Sequence, residues 1–241
     1  PSPYCIKDKS FNCISTVRHV KWPCTKKTFY SSVLYIVQKS GYICKTLSFR
    51  YMTKFNTYLE SNDFDRLKWF FEEHGELQHY RKGNFFARQG EYSSQAALIK
   101  DGTFAYTHID NDGKEHYVGF VFPDEFVADY TSFMRHSASQ VNIVALKPST
   151  IFSVNRQALH DFYNTDMETL RYNCLMAENL YEMVYSRLLE SYCKTPEERY
   201  RRLTTRYPKI EQEIPLCKIA SFLNVTPETI SHIRNKIVKN S

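Results

Sequence analysis

The stretch LCKIASFLNVTPETISHI, residues 216–233, decides the fold of the C-terminal part of this chain. Its Ala220 is small enough to let two helices cross closely, and Asn224 tolerates the left-handed backbone of a tight turn. Thr226 suits a helix N-cap, with Pro227 and Glu228 in the first turn of the helix that follows. The apolar positions that would share a core are Ile219, Leu223, Val225, Ile230 and Ile233. This pattern predicts a helix-turn-helix.

The second helix of the motif has a polar face opposite its isoleucine stripe. In a helix-turn-helix, the N-terminal part of this helix faces base edges in the major groove of DNA. Glu228 suits acceptance of a hydrogen bond from a cytosine amino group, and His232 suits donation to purine acceptors. The residues predicted to bind DNA are Thr226, Glu228, Thr229, Ser231, His232, Asn235 and Lys236. Glu228 equally suits a purely structural role as a helix N-terminal acid.

A second helix-start signal opens the basic C-terminal part of the chain. Thr195 fits an N-cap, Pro196 fits the first helical position, and two glutamates follow in the first turn. The basic residues that come next are Arg199, Arg201, Arg202, Arg206 and Lys209. They either flank DNA or keep this helix solvated, and the sequence leaves both alternatives open.

One long helix is predicted over residues 166–193. Its apolar residues recur at alternating gaps of three and four, at Met167, Leu170, Cys174, Ala177, Tyr181, Val184 and Leu188. Such a seam either covers the β domain or packs against a helix of a second subunit. Further apolar residues lie beside it, namely Leu175, Leu180, Met183 and Leu189. Because one contact does not need so wide an apolar perimeter, we favour one face on the β domain and one on a second copy.

Between Leu77 and Val154, short segments alternate with turn signals, which predicts roughly eight antiparallel strands in a meander or jelly roll. Residues 104–109 and 116–120 alternate around the hairpin turn Asp110-Asn111-Asp112-Gly113. Two more strands flank a turn at residues 147–149. Ahead of the strands, helical spacing predicts a helix or helix pair with Asp63 as an internal cap. Its buried face comprises Phe55, Leu59, Phe64, Leu67, Phe70 and Phe71.

The chain has 241 residues, of which 42% are hydrophobic and 24% charged, and these values exclude a disordered or collagen-like protein. Its net charge of +6 is unevenly distributed. Residues 1–51 hold nine basic residues and one acidic, residues 52–193 hold 13 and 20, and residues 194–241 hold ten and five. The C-terminal excess suits an anionic partner such as DNA, joined to an acidic, sensor-like part.

Residues 1–51 are a compositional outlier. They contain four of the seven cysteines and none of the five methionines. We expect this atypical segment to lie outside the native fold, with Met52 as the natural start. The gaps between its cysteines, of seven, ten and nineteen residues, fit no usual iron–sulfur or zinc spacing. Residues 29–44 fall short of a membrane span, and the few cysteines elsewhere fit a reducing compartment, so we expect a cytoplasmic protein without a membrane partner.

Patterns typical of enzymes are missing from the sequence. It has no phosphate-cradling glycine loop, no nucleophile elbow and no His or Cys set at metal-ligand spacing. The acidic pairs Asp161 with Asp166 and Glu72 with Glu73 suit solvated helix faces. We therefore predict no catalytic residue, no metal and no cofactor, and we leave open an unknown small-molecule effector.

The order of a β-roll, a long helix and a basic helix-turn-helix resembles the Crp/Fnr superfamily of bacterial transcription regulators over residues 52–241. The motifs that carry the resemblance are YRKG at 80–83, RQGE at 88–91, DG at 101–102, FVADYTSF at 126–133 and the helix-turn-helix at 219–233. Tyr200, Pro208 and Pro215 also fit Bacteroidota-type members of this family.

The resemblance implies an α+β fold with an N-terminal double-stranded β-helix (jelly-roll) sensor domain, a long dimerisation helix and a C-terminal all-α or winged helix-turn-helix. The corresponding domains are a cyclic-nucleotide-binding-like roll at 52–165, the dimerisation helix at 166–193 and the DNA-binding domain at 194–241. The implied partners are a second copy and double-stranded DNA with an inverted-repeat operator, with RNA polymerase as a further candidate. The alternative is a ligand-sensing or protein-interaction module whose helix-turn-helix no longer binds DNA.

The family's cyclic-nucleotide binders use a Gly-Glu pair for the ribose and, about ten residues later, an arginine for the cyclic phosphate. The matching positions here are Ala128-Asp129 and Ser139-Gln140, so the carboxylate is kept and the arginine is not, while Arg135 lies four residues early. We predict that the chain does not bind cyclic AMP in this way. The effector pocket implied by the resemblance comprises Phe126, Val127, Ala128, Asp129, Tyr130, Ser139 and Gln140. A roll that serves only as a dimerisation scaffold is the alternative, and His79, His108 and His116 are weak candidates for a haem ligand.

Overall fold

The computed structural model of the chain describes residues 54–59 and 64–239, apart from the side chains of the last two. The predictions on residues 1–51 and on Asp63 lie outside this part. Within it, eight strands are followed by one long helix and a group of shorter helices, so the predicted order of elements is confirmed.

The eight strands form two antiparallel four-stranded sheets that face each other as a roll. They are β1 (Glu76–Tyr80), β2 (Phe85–Ala87), β3 (Gln95–Asp101), β4 (Phe104–Ile109), β5 (Glu115–Val121), β6 (Phe126–Val127), β7 (Asn142–Ala145) and β8 (Ser149–Asn155). The order is β1-β8-β3-β6 in one sheet and β2-β7-β4-β5 in the other. Most consecutive strands therefore lie in opposite sheets, as in a jelly roll, and the predicted class is confirmed.

The β4–β5 hairpin forms at the predicted turn. The Asp110 carboxylate accepts hydrogen bonds from the backbone N–H of Asp112 at 3.0 Å and of Lys114 at 2.9 Å. Gly113 supplies the positive φ, of 78°, that closes the turn. The flanking strands pair from Phe104 opposite Val121 to Ile109 opposite Glu115. By contrast, β7 and β8 belong to different sheets, so the turn at 147–149 crosses from one sheet to the other.

The described residues also form eight α-helices. They are α1 (Asp65–His74), α2 (Tyr130–Arg135), α3 (Arg156–Tyr163), α4 (Met167–Cys193), α5 (Pro196–Arg206), α6 (Ile210–Glu213), α7 (Leu216–Phe222) and α8 (Pro227–Lys239), and a short 3-10 helix spans Thr57–Leu59. The six apolar residues predicted to form the buried face ahead of the strands are all buried. The predicted helix pair is the 3-10 turn together with α1.

Side-chain caps fix where the helices of the second half begin. Thr195 and Glu198 form a reciprocal capping box at the start of α5, with Pro196 in its first turn, as predicted. Asp166, which was expected only as a solvated acid, forms the same kind of box with Thr169 at the start of α4. The Asp166 box sets the start of the 27-residue helix α4, and the Thr195 box sets the start of the helix that follows it.

Buried apolar side chains form three clusters. One fills the interior of the roll, around Phe104 and Ile143. The second packs α1, α3 and α4 onto the outside of one sheet. The third joins the other sheet, through Phe120, to the helix-turn-helix, through Ile219 and Ile230. The roll and the C-terminal helices therefore share one apolar core.

The helix-turn-helix consists of α7 and α8. Asn224 adopts the left-handed backbone with a φ of 53°, and the Val225 N–H donates to the Ala220 carbonyl at 3.0 Å. Ala220 is fully buried where the two helices meet, together with Ile219 and Ile230. The predicted turn, close approach and shared core are all confirmed.

Residues 194–239, as far as the structure describes them, contain helices and no β-strand, which agrees with the all-α alternative for this part of the chain. Ile210, which begins the short α6 segment, and Ile214, which follows it, are buried in the core shared with α7 and α8.

Asn224→Val should lower the free energy of unfolding by about 1–2 kcal/mol, because a β-branched residue is strained at positive φ. Asn224 is exposed, so the change leaves core packing intact. Asn224→Gly is the matched control and should unfold at a urea midpoint close to that of the unchanged chain. Equal midpoints for the Val and Gly variants would contradict the left-handed turn.

Candidate functional site

The predicted DNA-binding residues lie together on the outward side of α8 and its N-cap. Thr226, Glu228, Ser231, His232, Asn235 and Lys236 are exposed, and Thr229 is half-buried. The Thr226 hydroxyl accepts a hydrogen bond from the Thr229 N–H at 3.3 Å, which caps the helix. We call these seven residues the recognition surface. Burial of Ile230 and Ile233 on α7 turns this surface to solvent.

Two cations of α8 are held by ion pairs to other helices. The Lys236 ammonium lies 2.7 Å from the Glu197 carboxylate of α5, and the Arg234 guanidinium lies 3.1 Å from that of Glu211. The hydrogen bonds from Lys236 and then from Arg201 lower the pKa of Glu197. All four side chains are partly exposed, so these pairs are weak and exchange readily for another anion such as a DNA phosphate.

Helix α7 is docked on strand β5 of the roll. The Tyr117 N–H donates to the Ser221 hydroxyl at 3.0 Å, and the Lys218 ammonium lies 4.9 Å above the Tyr117 ring. The ring of Phe222 lies 5.5 Å from that of Phe120. A shift of β5 would therefore be transmitted through α7 to the recognition surface.

The predicted seam of α4 is exposed along its whole length. Tyr181 is 70% exposed, Val184 58% and Leu188 50%, and the Tyr181 and Tyr185 rings stack at 5.8 Å. A different face of α4 packs on the roll, with Tyr172, Met176 and Met183 buried. The alternative in which the seam itself covers the β domain is therefore wrong, whereas a free apolar stripe is what a second copy would need.

A cavity of about 280 Å3 lies between the roll and α4. It is lined by five of the seven predicted effector-pocket residues, namely Phe126, Val127, Ala128, Asp129 and Tyr130. Ser139 and Gln140 do not line it. Most other lining residues are apolar, including Leu67, Phe71, Val118, Phe133, Leu159, Met176, Leu180 and Val184. The cavity is therefore an apolar chamber.

The Asp129 carboxylate is occupied by bonds within the protein. It accepts from the Ser132 hydroxyl at 2.8 Å, the Ser139 hydroxyl at 2.9 Å and the Gln140 N–H at 2.9 Å, and it caps α2. The Asp129 carboxylate thus brings together the two segments of the predicted pocket, residues 126–130 and 139–140. Its hydrogen bonds stabilise the fold and do not leave it free for a ligand. A ribose hydroxyl would have to displace one of these donors.

Two tyrosines close the roll side of the cavity. The Tyr106 hydroxyl donates to the Ala128 carbonyl at 2.9 Å, and the Tyr58 hydroxyl donates to that of Phe126 at 3.0 Å. Burial raises the pKa of both phenols well above its usual value, so both stay neutral. Sequence reasoning did not single out either residue.

Arg187 is the one cation among the residues that line the cavity, and Arg135 lies exposed at the end of α2, outside the lining. The Arg187 guanidinium donates to the Asn56 side-chain oxygen at 2.9 Å and lies 5.3 Å from the Phe55 ring centroid and 5.5 Å from that of Phe222. Burial lowers its pKa to about 10, which leaves it charged. No pattern in the sequence around Arg187 indicated that its side chain would contact Phe55, Asn56 and Phe222.

Glu125 is the buried counter-charge of this region. Its carboxylate accepts hydrogen bonds from the Asn56 N–H, the Asn56 side-chain amide and the Phe122 N–H, at 3.0, 2.6 and 3.0 Å. Burial raises its pKa to about 7, against the lowering effect of these bonds. In the sequence it follows Pro123-Asp124, and no pattern marked it as a buried carboxylate.

The three histidines considered for haem have protein partners. His79 contacts Thr150 at 3.1 Å, His108 contacts the Gln140 carbonyl at 2.8 Å, and His116 contacts Asp110 at 2.7 Å. Within the described ranges, no group of His, Cys, Asp or Glu is arranged to hold a metal ion. No helix in the same ranges is both long and apolar enough to cross a membrane.

Residues 77–166, which span β1 to the cap of α4, match the family model of the cyclic nucleotide-binding domain. No curated protein matches the chain in sequence.

Several solved structures share the fold. FixK2 from Bradyrhizobium japonicum is 16% identical, with a TM-score of 0.60 over 69% of this chain and 85% of that one. A protein of the Crp/Fnr family from Eubacterium rectale is 19% identical, with a TM-score of 0.55 over 73% and 84%. The c-di-GMP responsive global regulator CLP from Xanthomonas campestris is 12% identical, with a TM-score of 0.53 over 71% and 90%. The functional descriptions among these are those of regulators and not of enzymes.

Proposed function

We propose that this chain, which has the fold of Crp/Fnr-family transcription regulators with a cyclic nucleotide-binding domain at residues 77–166, is a homodimeric regulator that binds DNA through its recognition surface. The observation that carries the proposal is the exposure of the polar side of α8 while its apolar side is buried on α7. A helix held in this way presents its N-terminal residues to the major groove.

Dimerisation would supply the second recognition helix. The exposed seam of α4 has the spacing of a two-helix contact, and two-fold pairing along it would place two copies of α8 in successive major grooves, about 34 Å apart. The operator expected from this symmetry is an inverted repeat.

The roll would then act as the sensing part, and its cavity is ill suited to a cyclic nucleotide. A cyclic phosphate needs a guanidinium and several N–H donors, whereas Ser139 stands at the arginine position, the Arg187 guanidinium donates to Asn56 and the Asp129 carboxylate is already bonded. We therefore assign to the cavity an uncharged or largely apolar effector in preference to cyclic AMP.

The alternative is an adaptor that no longer binds DNA, and the ion pairs of Lys236 and Arg234 are the observation that favours it. In that hypothesis these cations serve only to hold α8 on α5 and α6. Measurement of DNA binding separates the two hypotheses, because only a DNA-binding regulator needs Lys236 to contact a DNA phosphate.

Lys236→Ala should weaken binding to all duplexes and lower the log–log salt slope by about one, as expected for one lost phosphate contact. Glu197→Gln should strengthen binding, because it releases Lys236. His232→Ala should chiefly reduce discrimination between sequences. Filter binding on a selected duplex measures all three, with Lys82→Ala, an exposed lysine in the β1–β2 turn, as the equal-charge control. Unchanged binding in the Lys236 and His232 variants would favour the adaptor.

Leu188→Glu should convert the dimer to a monomer at micromolar concentration, because it places a carboxylate in the apolar seam, at its C-terminal end. Sedimentation velocity on the full chain measures this. Leu189→Glu is the matched control, since Leu189 is 44% exposed on the same helix but lies off the seam. A monomeric unchanged chain, or equal behaviour of the two variants, would contradict dimerisation through the seam.

Calorimetric titration of the full chain with cyclic AMP should show no binding in the micromolar range. Loss of a bidentate charged partner removes several kcal/mol of affinity from such a ligand. Cooperative thermal unfolding of the same sample serves as the control for folding. Saturable micromolar binding would overturn the assignment of the cavity.

A further inference from the structure

A second cleft, of about 460 Å3, lies between α4 and the C-terminal helices, and arginines dominate its polar lining. These are Arg187 of α4 and Arg199, Arg202 and Arg206 of α5. The carboxylates in the lining are Glu182 and Glu190. We call this the arginine cleft, and its lining carries two more positive than negative side chains.

The spacing of the α5 arginines brings them to one place. Steps of three and four residues along a helix lie on one face, so positions 199, 202 and 206 share a side of α5. Arg201 lies off that side and pairs with Glu197 at 3.0 Å. The basic run noted in the sequence is therefore split, and most of it faces the cleft.

Much of the donor capacity of Arg187, Arg199 and Arg202 is unused. A guanidinium has five N–H donors. Arg187 donates to Asn56, Arg202 pairs with Glu190 at 3.0 Å, and Arg199 donates to two backbone carbonyls. The Arg199 Nε is buried and has no hydrogen-bond partner in the structure. A buried donor without an acceptor is unfavourable, and an incoming anion would supply the acceptor.

The charge in the cleft is only partly compensated. Burial lowers the pKa of Arg187, the Glu125 carboxylate opposes that effect, and the neighbouring Arg206 adds to it by repulsion. Glu190 is engaged by Arg202. A multiply charged anion would relieve the repulsion between the guanidinium groups.

Direct DNA contact explains the cluster less well than a small molecule does. No residue of α8 lines the cleft, although α8 carries most of the recognition surface. The cleft instead lies behind the helix-turn-helix, bounded by Phe222 and Leu223 at the end of α7. The volume of the cleft suits a ligand of about nucleotide size.

We propose that the arginine cleft binds a small multivalent anion through phosphate or carboxylate groups. Planar guanidinium groups bind both kinds of group bidentately. Such a ligand would join Arg187 of α4 to Arg199 and Arg202 of α5, and so stabilise the angle between the long helix and the C-terminal module. This site adjoins the apolar cavity of the roll, with which it shares the lining residues Tyr58, Met183 and Arg187.

Calorimetry on the full chain tests the site with pyrophosphate and with citrate, and with sodium chloride at matched ionic strength as the control. We expect saturable binding with one anion per chain, and the tighter of the two probes distinguishes phosphate from carboxylate chemistry. A response that sodium chloride reproduces, or heats that do not saturate with either probe, would overturn the proposal.

Substitutions of opposite sign sharpen the test. Arg202→Gln should weaken anion binding about tenfold, the loss of one charge-assisted contact, and Glu190→Gln should strengthen it. Arg201→Gln is the matched control and should leave the affinity unchanged. Arg202 is partly exposed, so its variant is expected to fold, which thermal unfolding checks.

The same variants separate this site from DNA binding. The calorimetric readout contains no DNA, so a failure of the proposed DNA-binding function does not affect it. Equal anion affinity in the Arg202 and Arg201 variants would overturn the proposal. So would a loss of DNA binding in Arg202→Gln without any anion binding by the unchanged chain, since the cleft would then be a DNA contact.

Discussion

The guanidinium of Arg187 is the contact on which the arrangement of the described parts depends. It belongs to α4, it donates to Asn56 ahead of the roll, and it lies over the rings of Phe55 and Phe222, the second of which belongs to α7. Asn56 in turn donates to the buried Glu125 of the roll. One charged group thus joins the roll, the long helix and the helix-turn-helix. Such a cation keeps this position only while its partners remain in place.

This position also relates the two cavities. Tyr58, Met183 and Arg187 line both the apolar cavity of the roll and the arginine cleft. A ligand in either cavity therefore touches the side chains that form the wall of the other. Phe222 of α7 contacts both the Arg187 guanidinium and Phe120 of β5. A shift of Arg187 would therefore also displace the helix-turn-helix. Two ligands that favour the same placement of Arg187 would bind cooperatively.

The sequence predicted the local structure well because local rules govern it. The hairpin turn at Gly113, the Thr195 N-cap and the left-handed Asn224 are each fixed by a few neighbouring residues, and all were found where expected. The exposed seam of α4 was also readable, as an apolar perimeter too wide for one contact. Hydrogen bonds between residues far apart in the sequence could not be predicted. Glu125 and Asn56 are 69 residues apart, and Asn56 and Arg187 are 131 apart, so no pattern links them. The saturated Asp129 likewise depends on which segments meet in three dimensions.

The central claim is that two copies of this chain read DNA as a symmetric pair. Selection of bound sequences from a pool of random duplexes with the full chain tests it most directly. The account predicts enrichment of an inverted repeat whose half-site centres lie about 10 base pairs apart, or a multiple of this, since each α8 enters one major groove. Enrichment of a single asymmetric site, or no enrichment at all, would contradict it.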